Sequence, residues 1–77
     1  MTAQYLYLEA REAIDAYKRR LRSSAKKQYA ELYLDWVLSD RANPEPREGF
    51  DFMLRQAVRI DINSILRHSQ PGYVPAY

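Results

Sequence analysis

The sequence predicts an all-α protein, and three observations carry that prediction. Gly is absent before Gly49 and Pro before Pro44. Ala, Leu, Glu, Lys, Arg and Gln, the residues of highest helix propensity, dominate the same stretch. Apolar residues recur at helical spacing on both sides of a single Pro-rich linker.

In the first half, Thr2 is placed to cap a helix, its hydroxyl accepting a backbone amide of the first turn. Glu9 and Glu12 lie toward the positive end of the helix dipole. At about 100° per residue, Leu6, Ala10, Ile14, Tyr17, Leu21, Ala25, Leu32 and Trp36 gather into one stripe, with Asp15, Arg19, Lys26 and Lys27 elsewhere. The stripe shifts phase at Ser23 and Ser24, residues that compete for backbone hydrogen bonds inside helices. The favoured reading is one helix of about 36 residues that bends there, because no Gly or Pro enforces a break. Alternatively, Ser24 caps a second helix from Ala25 to Leu38. The first reading gives a helical hairpin and the second a three-helix bundle. Either is open to completion by a second copy as a homodimeric four-helix bundle.

Residues 39–49 form the linker, with Asn43-Pro44 or Glu45-Pro46 placing a proline in the first turn of the next helix. From Phe50 a second amphipathic helix is expected to pack antiparallel on the first. It carries Phe50, Met53, Leu54, Ala57, Val58 and Ile65 on one broad face, with Phe52, Ile62 and Leu66 nearly opposite. A helix apolar on two sides needs two coverings, which argues for self-association. Val58, Ile60 and Ile62 alternate with Arg59 and Asp61, but a lone short strand would have no ladder partner. The helical domain thus covers residues 1–68. After His68 the Pro71-Gly72 pair turns residues 69–77 into an extended tail. Its Tyr73, Val74 and Tyr77 are apolar enough either to trail free or to pack as an arm on this bundle or a neighbour.

Composition narrows the function classes. A chain of 77 residues is near the lower limit for a single core, and the absence of Cys removes disulfides and thiolate metal sites. The N-terminus has no basic stretch followed by an apolar run, and no apolar run is long enough to span a bilayer. A soluble, cytoplasmic protein is expected. His68 is the sole histidine and falls at a helix end, where the dipole accounts for it. Glu9 and Glu12, like Glu45, Glu48 and Asp51, sit at helix starts, where capping explains them. With only Gly49 and Gly72, no Gly-rich phosphate loop exists. No nucleophile, base and oxyanion donors can be assembled, so the expectation is a non-enzymatic protein without metal or cofactor.

The strongest local signal is basic. Between Ala16 and Ala30 there is no acid, while Lys18, Arg19, Arg20, Arg22, Lys26 and Lys27 fall inside, leaving the rest of this +2 chain net acidic. On a continuous helix Arg19, Arg22 and Lys26 share an outer face. Tyr29, Tyr33 and Trp36 follow at i, i+4 and i+7, the spacing of a core stripe or, for residues of these types, of an interface hot spot. The candidate partner-binding residues are therefore Lys18, Arg19, Arg22, Lys26, Lys27, Tyr29 and Tyr33. The expected function is a helical protein-protein interaction module, an adaptor or small regulator docking on a larger protein or complex with an acidic surface. The alternative is a nucleic-acid-associated protein using residues 18–27, although only Arg55 and Arg59 of the second helix are placed for reading bases.

Overall fold

The first half of the chain does not continue as one helix. In the computed structural model, which describes residues 7–70 and 72–74, helix α1 spans Tyr7–Arg20 and helix α2 spans Ser24–Leu38. Between them Ser23 takes extended backbone, and its hydroxyl accepts the Lys26 amide at 3.2 Å. Ser23 is thus the cap, and Ser24 is the first helical residue. The bent-helix reading is overturned for a simple reason. An unbroken helix of about 36 residues would be about 54 Å long with one uncovered apolar stripe. Breaking at Ser23 lets α1 fold back, so that Ala10, Ile14 and Tyr17 bury against Tyr29, Tyr33 and Leu34.

The linker is a return path. The Trp36 indole N–H donates to the Asn43 carbonyl, Glu45 meets Arg59 at 3.4 Å, and the Phe50 ring lies 5.2 Å from that of Tyr29. The chain therefore runs back beside α2 to its beginning. There Asp51 caps helix α3, Phe52–Ser69, accepting the Leu54 amide at 2.8 Å. Pro44 and Pro46 sit in this returning segment, not in the first turn of α3. Contacts between the helical arms then climb together: Tyr29 with Phe50, Tyr33 with Asn63, and Arg41 with Val74. Helix α3 runs in the same sense as α2, correcting the antiparallel arrangement expected after a short turn. Asp40 and Arg41, at φ 61° and 57°, take left-handed backbone to turn the chain out of α2.

The core is a three-helix one. On α3, Val58, Ile62 and Leu66 recur every four residues and are fully buried, while Phe52, Met53 and Ile60 are exposed. Ile62 and Leu66 are therefore not a leftover strip for another copy, because α1 and α2 cover α3 from two directions. The argument for self-association built on Phe52, Ile62 and Leu66 falls with that assignment. Trp36 is half-buried against the edge of the core instead of inside it.

The described part of the tail packs on its own bundle. Tyr73 is buried, its hydroxyl donates to Asn63 Oδ1, and the Arg41 guanidinium stacks 5.6 Å from its ring while donating to the Val74 carbonyl at 2.6 Å. Asn63 Oδ1 also accepts the Tyr33 hydroxyl at 3.3 Å, and Asp61 accepts the Tyr17 hydroxyl at 2.8 Å. The Thr2 cap, Tyr5, Leu6, Tyr77 and the Tyr7 side chain lie outside the described residues.

Ile62→Ala should destabilise the protein by about 2–5 kcal/mol, whereas Met53→Ala should stay within about 0.5 kcal/mol, as read from denaturant unfolding. Equal costs at the two positions would mean that α3 is rotated from this packing.

Burial also raises the pKa of the Tyr17, Tyr29 and Tyr33 hydroxyls, and carries Tyr73 up to about 12 from its ordinary value of 10.0. Above the ordinary value the unfolded chain releases protons that the folded one keeps. The contribution of these hydroxyls to stability is therefore level below about pH 10 and falls as pH rises from there through about 12. Tyr73→Phe should flatten that fall. Tyrosinate absorbance titrating wholly near the ordinary value would contradict the burial.

Candidate functional site

The corner where α1 passes to α2 gathers the basic run. The Leu21 amide bonds the Lys18 carbonyl at 3.0 Å, closing α1 with Lys18, Arg19 and Arg20 in its last turn, where the dipole favours cations. Arg22 occupies the connection. The first turn of α2 then holds no acid and carries Lys26 and Lys27. Lys26 stands three residues after the Ser23 cap, where a Glu would bond back to the cap amide. Positive charge is thus set against the positive end of a helix, an arrangement that local helix energetics oppose.

The corner differs from the rest of the surface in how its charges are satisfied. Arg11 bonds Glu31 at 2.8 Å and Asp35 at 3.0 Å; Lys18 bonds Glu31 and, at 3.3 Å, Asp15. Glu45 serves Arg59 at 3.4 Å and Arg47 at 3.8 Å. Arg55 donates to the Phe50 carbonyl at 3.1 Å and stacks on Phe52, and Arg41 stacks on both Trp36 and Tyr73. Arg19, Arg20, Arg22, Lys26 and Lys27 form no ion pair among the described residues. Hydrogen bonds from Lys18 and Arg11 hold the Glu31 carboxyl below the usual range, and the Glu31 bond raises Lys18 in return.

The residues singled out in the sequence therefore separate. Arg19, Arg22 and Lys27 are exposed and Lys26 is half-buried, all at the corner. They do not share one helix face, because the break at residues 21–23 divides them between α1, the connection and α2. Lys18 is turned to Glu31 and is committed to α1–α2 packing. Tyr29 and Tyr33, at 0% exposure, are core residues that offer no surface. Arg20 lies toward α3, lining a shallow pocket with Tyr17, Asp61, Ser64 and Ile65. Leu8, 76% exposed on α1, escaped the sequence argument because it falls off the apolar stripe; its wheel position beside Glu12 and Arg19 is the signal that marks it.

His68 lies in the last turn of α3, its Nδ1–H donating to the Ser64 carbonyl at 2.8 Å. Among the described residues no group of three or more His, Asp or Glu is placed to hold a metal ion, and no helix is long and apolar enough to cross a membrane. No protein-family model, curated protein or solved structure matches the chain.

Lys26→Glu should complete a capping box with Ser23 and remove a like-charge contact with the dipole, raising stability by about 0.3–1 kcal/mol at low ionic strength. Thermal unfolding in low and high salt measures this, the gain shrinking as salt rises.

Proposed function

We propose that the protein is a non-enzymatic helical docking module whose α1–α2 corner seats on an acidic surface of a larger protein. One observation carries the reading. Carboxylates pair Arg11, Lys18, Arg47 and Arg59, yet among the described residues none reaches Arg19, Arg22, Lys26 or Lys27. Charges left unneutralised at a helix start are available to an external anion, and Arg adds bidentate geometry toward carboxylates.

A protein surface is favoured over nucleic acid as the source of that anion. Arg59 is engaged by Glu45 and Arg55 by the Phe50 carbonyl, which takes from α3 the arginines placed for base reading. The rings of Tyr17, Tyr29, Tyr33 and Tyr73 are buried, so they supply no platform for stacking bases.

Fluorescence anisotropy with a labelled poly-glutamate peptide and with a duplex oligonucleotide tests the proposal. The protein should bind the peptide, and joint Arg22→Glu, Lys26→Glu and Lys27→Glu changes should weaken binding at least about tenfold, or about 1.4 kcal/mol. Reversal of Arg47, on the return segment, should change it less than about twofold. Tighter binding to the duplex with a steep salt dependence would transfer the function to nucleic acid. Binding to neither probe would end the reading.

A further inference from the structure

We infer that α1 pairs antiparallel with α1 of a second copy of this chain. The outward face of α1 carries Leu8, Glu12 and Arg19 in line, at i, i+4 and i+11, with Ala16 and Asp15 between them and Glu9 alongside. Leu8, Glu9, Glu12 and Arg19 are all exposed. Glu9 and Glu12 precede Arg19 on this face, and Asp15 is paired with its own Lys18, so reversing a second copy sets Glu12 opposite Arg19. The register that sets Glu12 opposite Arg19 of the second copy also brings Glu9 toward the connection that carries Arg22, beyond the end of that copy's helix, and the two-fold axis repeats both contacts.

Acid early and base late in a helix is what the dipole favours, so the charges alone do not call for a partner. Two further features do. Leu8, 76% exposed, falls in this register against the Leu21–Ser23 connection of the other copy, where the chain leaves the helix and makes room. The axis itself falls between Asp15 and Ala16. Alanine there permits close approach of the helices, and Asp15 is held at 3.3 Å by Lys18 of its own chain, which removes the like-charge penalty across the axis. The antiparallel dipoles add a favourable contribution of the same sense.

The contact is small. Helix α1 has 14 residues and is about 21 Å long, which puts the dimer below about 1,200 Å² of buried surface and in the weak, salt-sensitive class. Pairing would leave Lys26 and Lys27 of both copies outside the contact, at opposite ends of the paired helices. The inference shares Arg19 and Arg22 with the proposed docking corner but does not depend on it, since Glu9, Glu12 and Leu8 belong to the self-contact alone.

Sedimentation equilibrium of the full chain at low salt, over a wide concentration range, provides the test. The protein should dimerise, and added salt should weaken the dimer. Glu12→Arg and Arg19→Glu should each weaken it at least about tenfold, because each places like charges opposite at two symmetric positions. The double change Glu12→Arg with Arg19→Glu restores complementarity and should return the dissociation constant to within about threefold of the original. Circular dichroism on every variant confirms that the helices persist. Glu12→Arg should retain poly-glutamate binding, which separates failure of this contact from failure of the docking corner. A monomer at all concentrations, a dimer indifferent to single reversals, or a double change that does not recover would each overturn the inference.

Discussion

The hydroxyl of Ser23, accepting the amide of Lys26, decides where the first half of the chain divides. A helix start leaves several amides without partners, and a serine at the cap satisfies one of them locally. Without that cap, the chain from Tyr7 to Leu38 has no Gly or Pro to stop it, and a single long helix would present its apolar residues on one side only. With it, α1 reverses onto α2, and Arg11 and Lys18 come to share Glu31 across the pair. The same bond sets Arg22, Lys26 and Lys27 on the outside of a corner. The core and the basic surface are two consequences of one break.

A chain this short covers its core by recruiting residues from outside its helices. Phe50 from the return segment lies on Tyr29, and Tyr73 from the tail enters beside Tyr33 and Asn63. Tyrosine suits this construction. Its ring supplies apolar area, and its hydroxyl can reach a polar partner at the margin, as Tyr17 does with Asp61 and Tyr33 and Tyr73 do with Asn63. The left-handed backbone at Asp40 and Arg41 is held by the same assembly, since the Arg41 guanidinium is sandwiched between Trp36 and Tyr73 and anchors Val74.

Charge is distributed by a related logic. Carboxylates on α2 and the return segment are occupied in holding the bundle together, and among the described residues Arg19, Arg22, Lys26 and Lys27 form no ion pair. Lysine at the position where a capping box would carry Glu costs local helix stability. The acidic half of α1 remains exposed at the other end of the same helix, so one element offers both signs to its surroundings.

What the sequence by itself determined is local. Helix-favouring composition and the Pro-rich linker depend on near neighbours, so the all-α class, the helical character of both halves and the basic run were legible, whereas Val58, set opposite Ile62 and Leu66 by the apolar pattern, joins them on one buried face only in the packed bundle. The tertiary structure decided what depends on residues far apart in the chain. Whether Ser23 caps or merely bends a helix turns on what α1 gains by folding back. Whether α3 runs with or against α2 turns on residues 39–51 finding contacts along α2 at Trp36 and Tyr29. Lys18 and Lys26 look alike in a run of basic residues, yet one meets Glu31 across the bundle and the other meets no carboxylate among the described residues. Tyr29 and Tyr33 likewise fit a core or an interface until the other helices close over them. Periodicity shows which side of a helix is apolar, but only the packed neighbours determine which part of that side is covered.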